Sequence, residues 1–270
     1  MVYDSEKSTS INEFSVSRRI ELYEEAVKLR EKNSWGSRRI AEELGLKAGA
    51  VKGWIHHGSR PDTHFNIPDL TPSPALSYII GTVEGDGWIT NHIEQDGTER
   101  HRIGLQAISY EFVVEFRDAI EEIVGKKYSL TKREKDRYSD TYVVKLDNLP
   151  LFDFLERPRK GHRDKISKYP SWFVKGLFDS EGTPKQNAHM VECYNTDRPL
   201  LNFTSDVLSE IGIESSIGIK NRDKSEIKGR TVKNKKELYV LRISGSDVNT
   251  FYQQVGFTIP EKREKLAEMI

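Results

Sequence analysis

Several features that mark common classes of protein are missing from this chain. Among its 270 residues Cys193 is the single cysteine, which excludes an internal disulfide framework or a cysteine-rich metal site. No apolar run approaches the ~20 residues that a membrane-spanning helix requires. The stretch 1–14 is polar and acidic, unlike a signal or transit peptide. We therefore expect a cytoplasmic protein with no membrane partner.

The chain also has no net charge, because 42 Lys and Arg balance 42 Asp and Glu. The total therefore gives no indication of a nucleic-acid partner, whereas the distribution of charge does. Basic residues outnumber acidic ones in the stretches 127–145 and 215–236. A hydrophobic content of 36% with 31% charged residues is polar for a globular protein but compatible with folding.

The N-terminal quarter reads as a separate helical region. Residues 15–58 contain three helical patterns, SVSRRIELYEEAVKLREKN, GSRRIAEELG and KAGAVKGWIHHG. The prolines that follow cannot belong to a long helix, so we predict a helical domain at 1–60 and a linker at 61–73.

The remainder contains an internal repeat, because IIGTVEGDG at 79–87 returns as VKGLFDSEG at 174–182. Two strands follow each copy, then an amphipathic helix, two more strands and a short helix. In the first copy that helix carries Phe112, Phe116, Ile120 and Ile123 on one face. The pattern predicts an α+β fold of tandem αββαββα repeats, at 74–168 and 169–270, related by a pseudo-two-fold axis.

Small residues share one face of each repeated helix. Gly81 and Gly85 lie four residues apart in the first, and Gly176 and Ser180 take the same places in the second. Glycine costs roughly 0.8–1.0 kcal/mol in a helix interior relative to alanine. Its presence in both copies suggests a close neighbour, and the duplication makes the other helix the natural one. We predict that the two helices meet backbone to backbone.

Each helix ends in an acid followed by glycine, Asp86–Gly87 and Glu181–Gly182. Glycine commonly terminates helices, and the helix C-terminus carries partial negative charge. Two carboxylates brought together there would gain by sharing a divalent cation. Hard oxygen ligands suit Mg²⁺, with Mn²⁺ as a substitute. Metal ions beside a phosphodiester can activate water and stabilise the leaving oxygen.

Together these segments resemble the two LAGLIDADG motifs of the monomeric homing endonucleases, especially the archaeal intron-encoded type. The resemblance covers residues 74–270 and includes both motifs, their separation and the strands after each. It implies that Asp86 and Glu181 are the essential metal-binding acids. It also implies that Gly85 and Ser180 can lend backbone carbonyls to the metal. The acids at the sixth motif position, Glu84 and Asp179, are expected to pack or cap instead.

The family also places a basic and a polar residue near each cleaved phosphate. Lys262 in IPEKREKL matches the basic position of the second repeat, whereas Lys160 or Lys165 matches that of the first. The polar residue is Gln106 or Ser109 in the first repeat. In the second repeat it is Cys193 or Thr196, and a cysteine where glutamine is expected would make the half-sites unequal.

Double-stranded DNA is the partner that this resemblance implies. The strands of each repeat would form a concave antiparallel sheet, and the two sheets would make a saddle whose ribbons enter the major groove. Basic residues in the strand pairs are the expected contacts, namely Lys132, Arg133, Lys135, Arg137, Lys220, Arg222, Lys224 and Arg230.

The N-terminal region resembles a helix-turn-helix with Gly45 at the turn. Its second helix, AGAVKGWIHHG, would lie in the major groove. The expected DNA contacts of this region are Arg38, Arg39, Lys52 and Arg60.

Three functions remain open on this evidence. The first is a site-specific DNA endonuclease that makes a staggered double-strand cut and mobilises its own intron or gene. The second is a non-cleaving transcriptional regulator on the same scaffold, and the third is an RNA-splicing maturase. Retention of both acids favours the first. Because both motifs lie in one chain, a monomer suffices, and we expect no small-molecule substrate.

Overall fold

The fold is that of a computed structural model, which describes residues 9–11, 14, 16–61, 67–94, 99–134, 139–220, 225–227, 230–232 and 237–270. The chain divides into two compact units. One comprises the described part of Met1–Pro68 with Asn148–Leu151, and the other comprises that of Asp69–Asp147 with Phe152–Ile270. None of the helices in these ranges is both long and apolar enough to cross a membrane.

The described part of Met1–Pro68, the N-terminal unit, contains three helices where the sequence predicts them. They are α1 (Val16–Asn33), α2 (Ser37–Glu43) and α3 (Ala48–His57). Their shared core includes Ile40 of α2 and Val51 and Trp54 of α3. Between α2 and α3 the chain turns at Gly45, whose φ of 64° lies in the left-handed region that favours glycine. The role of this unit as a helix-turn-helix stays a prediction.

The first repeat has the predicted αββαββα order, and all of its elements belong to the second unit except the start of its last helix. Its elements are α4 (Pro74–Glu84), β1 (Trp88–Ile93), β2 (Glu99–Ala107), α5 (Tyr110–Val124), β3 (Thr131–Arg133), β4 (Thr141–Asp147) and α6 (Leu149–Leu155). The apolar face of α5 is buried as its periodicity predicts.

The second repeat follows the short helix α7 (Arg163–Ile166). Its elements are α8 (Pro170–Glu181), β5 (Gly182–Lys185), β6 (Met190–Asn195), α9 (Arg198–Glu210), β7 (Ser216–Lys220), β8 (Ser225–Ile227), β9 (Arg230–Val232), β10 (Leu238–Ser244), α10 (Asp247–Gln254) and α11 (Pro260–Ala267). Within the described ranges it has the additional ribbon of β8 and β9, and it ends with the helix α11.

Two four-stranded antiparallel sheets result, with the matching orders β1-β2-β4-β3 and β5-β6-β10-β7. Side chains alternate between the faces of each sheet. Ile103 and Leu105 of β2 are fully buried, whereas Gln106 and the strand partner of Gly104, Lys145, belong to the opposite face. The predicted α+β fold of two symmetric repeats is confirmed.

The helices α4 and α8 meet through their glycines. A Cβ atom on Gly81 would lie 2.9 Å from the carbonyl carbon of Phe173 and 3.0 Å from the backbone nitrogen of Leu177. A Cβ atom on Gly176 would lie 2.8 Å from the backbone nitrogen of Thr82. These separations are too short for any side chain, so the predicted contact of backbone against backbone is confirmed.

We therefore expect Gly81→Ala to destabilise the protein. The new methyl group would collide with the backbone of α8, which cannot move as a side chain can, at a cost of roughly 1–3 kcal/mol or more. This exceeds the roughly 1 kcal/mol that alanine gains in a helix. Chemical denaturation measures the difference. Gly161→Ala is the matched control, because its Cβ atom would meet nothing closer than 3.8 Å. Equal stability of the two variants would contradict the close contact.

Candidate functional site

The ends of α4 and α8 touch. A side chain on Gly85 would collide with that of Ser180, its counterpart, and its Cβ atom would lie 3.5 Å from Cγ of Glu181. Asp86 and Glu181 therefore leave adjacent helix ends. The side chain of Asp86 is exposed and that of Glu181 is half-buried. From the sequence, only the predicted contact between the two helices implied that these acids lie close together. The structure has both acids at that contact.

Partial burial and like charge raise the cost of charge on the two carboxylates, burial at both and the charge of Asp86 at Glu181. Although Asp86 is exposed, the protein around its carboxylate displaces part of the water and so raises its pKa, while the positive charge of Lys262 acts in the opposite direction. Partial burial also raises the pKa of Glu181, the negative charge of Asp86 raises it further, and Lys262 again opposes the shift. Negative charge is thus concentrated at the helix ends, and an added cation would relieve it.

Lys262 lies at the end of α8, where the second repeat was expected to place its basic residue. Its ammonium donates hydrogen bonds to the backbone carbonyls of Asp179 at 2.6 Å, Phe178 at 3.2 Å and Ser180 at 3.4 Å. Carbonyls in the last turn of a helix lack the full set of helical partners, and Lys262 supplies donors to these three, of which Phe178 also accepts from the Gly182 backbone nitrogen. Burial lowers the pKa of Lys262, while nearby acids, Asp179 and Asp86 first among them, raise it.

The buried carboxylate of Asp179 holds Lys262 in register with the helix pair. It accepts a hydrogen bond from the Thr258 backbone nitrogen at 2.8 Å, just before α11, which carries Lys262. It accepts a second from the Tyr78 hydroxyl of α4 at 2.9 Å. The sixth-position acid therefore joins both motif helices to the C-terminal segment, in agreement with the packing role expected for it.

At the end of α4 the neighbouring basic group is Arg159, which the sequence reading missed. Its guanidinium donates to the Glu84 carboxylate at 2.9 Å and to Asp197 at 2.5 Å. Asp197 also caps α9, accepting from the Leu200 backbone nitrogen at 3.1 Å. Lys160, the neighbour named from sequence, has an exposed side chain. An arginine one residue before the aligned lysine was the available signal.

Lys165, the alternative to Lys160, is half-buried. Its ammonium lies 3.3 Å from the carboxylate of its neighbour Asp164.

A cleft of about 770 Å³ joins several of the expected site residues. Its wall contains Asp86 and Ser180 from the motif ends, Lys262 from α11, and Gln106 and Ser109 from the first sheet and the loop after it. Asp86 and Lys262, which are more than 170 positions apart in the sequence, thus share one surface that is open to a ligand.

Both polar candidates of the first repeat already have protein partners. The Gln106 amide donates to the Thr141 hydroxyl at 3.0 Å and accepts from Arg133 at 3.2 Å. Ser109 caps α5 by accepting from the Phe112 backbone nitrogen at 3.3 Å. Gln106 therefore has a defined orientation on the exposed face of the sheet.

In the second half of the site, Cys193 does not occupy the polar position that the sequence suggested for it. Strand register pairs Cys193 with Gly182 and Leu241, the position that Leu105 occupies in the first sheet. Its side chain is fully buried, and burial strongly raises the pKa of its thiol. Cys193 therefore corresponds to a core residue and not to Gln106, whose counterpart is the next residue of β6.

Asn195 is the polar residue that reaches an acid in the second half. Its amide donates to the Glu181 carboxylate at 3.3 Å. Thr196, the alternative named from sequence, is exposed in the loop that follows. Asn195 ends β6, and its proximity depends on strand register, which the sequence pattern alone did not determine.

The basic residues of the strand pairs fall on different surfaces. Arg133 shares the face of Gln106, whereas the preceding residue of the strand, Lys132, is paired with Asp140 at 2.7 Å. Lys220 lies with its ammonium 5.7 Å from the centre of the Tyr194 ring. Four others lie outside the described residues, namely Lys135, Arg137, Arg222 and Lys224. Arg230 belongs to β9, and only its backbone is described.

The four basic candidates of the N-terminal unit are all exposed. Arg39 stacks on the Trp35 ring at 4.1 Å and Arg60 on that of Tyr23 at 5.5 Å. Arg38 lies in the first turn of α2, and Lys52 lies in the middle of α3. All four are placed where a ligand of this unit could reach them.

The residues at the helix ends fit a hard divalent cation that is also held by its substrate. In the described ranges no three His, Cys, Asp or Glu side chains are grouped to enclose a metal. Mg²⁺, however, is usually bound by one or two carboxylates with water and substrate phosphates completing its shell. The pair of Asp86 and Glu181, with raised pKa values, matches that donor set.

Comparison with known proteins identifies the fold. Residues 168–256 match the model of the LAGLIDADG-like domain. An uncharacterized protein of Methanocaldococcus jannaschii is 29% identical over 97% of this chain and 97% of its own. The homing endonuclease I-DmoI in complex with DNA and Ca is similar over 74% of this chain and 99% of its own, with a TM-score of 0.51 and 17% identity. The predicted LAGLIDADG resemblance and fold are confirmed.

We expect Glu181→Gln to stabilise the metal-free protein at neutral pH. Because the folded-state pKa of Glu181 is raised, the folded state binds more protons and loses stability as pH rises from the ordinary value of 4.5 to the raised pKa. Glutamine removes that loss. The gain over the unmodified protein should be absent below about pH 4, grow through this window and then level off.

Thermal unfolding across pH, with a chelator present, measures this difference. A constant offset between the two proteins at every pH would contradict the assigned charge repulsion.

Proposed function

We propose that this protein is a site-specific double-strand DNA endonuclease of the homing type, which hydrolyses phosphodiesters with a divalent metal held by Asp86 and Glu181. The observation that carries the proposal is the meeting of these two acids at abutting helix ends, where Asp86 lines an open cleft together with Lys262. The likeness to I-DmoI, a homing endonuclease described in complex with DNA and Ca, supports it through the fold.

Each group in the cleft has a chemical role under this proposal. Asp86 and Glu181 would hold the metal, and the backbone carbonyls of Gly85 and Ser180 would be further oxygen donors. A divalent cation such as Mg²⁺ or Mn²⁺ bound there would supply activation of water and stabilisation of the leaving oxygen. Lys262 places a fixed positive charge beside the acids, where it can stabilise negative charge on a phosphate.

Two further groups complete the proposed chemistry. Gln106, oriented by Thr141 and Arg133, can position water by hydrogen bonding. Lys160 is exposed and does not line the cleft. We propose that it contacts a phosphate in the first half-site.

DNA would lie across the exposed faces of the two sheets. Arg133 and Lys220 lie on those faces, and they would contribute phosphate contacts or guanine contacts. Both motifs belong to one chain, so we propose that a monomer cuts both strands. The N-terminal unit would add a separate contact, with α3 in the major groove.

We expect Asp86→Asn and Glu181→Gln each to abolish Mg²⁺-dependent cleavage, by at least about a hundredfold, while DNA binding persists. Each change removes one charged metal ligand and leaves the protein surface almost unaltered. Cleaved sites selected from a randomised DNA library provide the substrate, and gel analysis of products provides the rate. Asp206→Asn is the matched control, since Asp206 is an exposed carboxylate of α9 outside the cleft.

Three results would contradict parts of this proposal. Cleavage that survives both substitutions would show that the acids are not catalytic. Binding without any cleavage by the unmodified protein would favour the regulator, and cleavage-free stimulation of intron splicing would favour the maturase.

Replacing Arg38 and Lys52 together by alanine should weaken DNA binding uniformly across sequences. If each contacts one phosphate, the slope of log affinity against log salt falls by about 2. Fluorescence anisotropy over a range of salt concentrations measures this slope. Both side chains are exposed, so the fold should be retained, and Lys28→Ala on the exposed surface of α1 is the control. An unchanged slope would show that the N-terminal unit does not touch DNA.

A further inference from the structure

The loops that follow β2 and β6 are structural counterparts. Ala107 pairs with Tyr142 in the first sheet, and Asn195 pairs with Tyr239 at the matching register of the second. Each loop then provides the residue that caps the next helix, Ser109 for α5 and Asp197 for α9, with a bond to the backbone nitrogen three residues on. Every residue of one loop therefore has a defined partner in the other.

The chemistry of the two loops nevertheless differs. Ile108 is 65% exposed and corresponds to Thr196, and Tyr110 is 49% exposed and corresponds to Arg198. Tyr110 packs edge-on against Tyr142 with ring centres 5.1 Å apart. The first loop is therefore apolar and aromatic, whereas the second presents a hydroxyl and a guanidinium.

The apolar loop forms part of the cleft that contains Asp86. Ile108, Tyr110 and Tyr142 line it together with Lys262. Exposed apolar side chains of this size in the wall of a charged cleft indicate a binding surface, because covering their apolar area with a ligand would lower the free energy. Their occupant, given the proposed function on which this step rests, is the DNA strand whose phosphate is held at Asp86.

DNA offers two surfaces that suit such a wall, the deoxyribose and the face of a base. A phosphate does not suit it, since Ile108 and Tyr110 bring no positive charge. Apolar side chains reach a base face by entering a base step and partly unstacking it. Pyrimidine–purine steps such as TA and CA open most easily.

We propose that Ile108 and Tyr110 form an apolar wedge that enters the base step beside the phosphate held at Asp86, and so makes that half-site prefer easily deformed steps. The counterpart residues Thr196 and Arg198 contact the backbone instead and impose no such preference. Specificity at this step then arises without a hydrogen bond to a base.

The test exchanges the chemistry of the first loop for that of the second, with Ile108→Thr and Tyr110→Arg combined. DNA is selected from a library randomised around the cut, once by binding and once by cleavage. The unmodified protein should enrich TA, CA or TG at one step on one side, at least about fivefold, and the exchanged variant should lose this enrichment while keeping its flanking preferences.

A second measurement reports the opening directly. 2-Aminopurine at the selected step should brighten when the unmodified protein binds and stay quenched with the exchanged variant. The control combines Ile93→Thr and Tyr252→Arg, which change exposed side chains of the same kinds outside the cleft. It should behave like the unmodified protein in both measurements.

The outcomes separate the wedge from the endonuclease. Step preference and brightening without cleavage would support the wedge and reject the nuclease. Cleavage with no step preference, or with a preference that the exchange leaves intact, would overturn the wedge alone. Failure to bind any DNA would overturn both.

Discussion

The approach of α4 and α8 through Gly81 and Gly176 is the constraint on which the site depends. Side chains at these positions would separate the helices, and with them the acids that follow. Each glycine costs roughly 0.8–1.0 kcal/mol of helix propensity, which the burial of α4 on nearly every side can offset. The proximity of Asp86 and Glu181 is thus a consequence of helix packing and not of a binding loop.

That packing concentrates negative charge, because two helix C-termini and two carboxylates meet at one place. Lys262 compensates part of this negative charge. Its ammonium donates hydrogen bonds to the carbonyls at the end of α8, and its positive charge lowers the pKa of both acids relative to what burial alone would give. The carboxylate of Asp86 remains open to the cleft. A buried acid, Asp179, fixes the lysine by joining α4, α8 and the segment before α11. Charge balance and position are therefore achieved by the same small network.

The parts of this arrangement that could be predicted from sequence are those that local sequence patterns and the internal repeat specify. The helices, the order of elements along the chain, the glycine contact and the two acids all follow from periodicity in two copies. Arg159, Asn195 and the core position of Cys193 do not, because each depends on strand register or on an irregular turn. A shift of one residue moves a strand side chain to the opposite face, and this separates Cys193 from the position expected for it.

Symmetry in the framework combined with asymmetry in the cleft has a consequence for the DNA that such a chain would bind. Ser109 and Asp197 cap equivalent helices, and Tyr142 and Tyr239 occupy equivalent strand positions. Two identical halves would present the same contacts twice, and their target would have to be palindromic. Here the framework repeats while the residues that face the cleft do not. A duplicated single chain can keep the shared helix contact and change each half separately, so the target of the proposed endonuclease should be asymmetric.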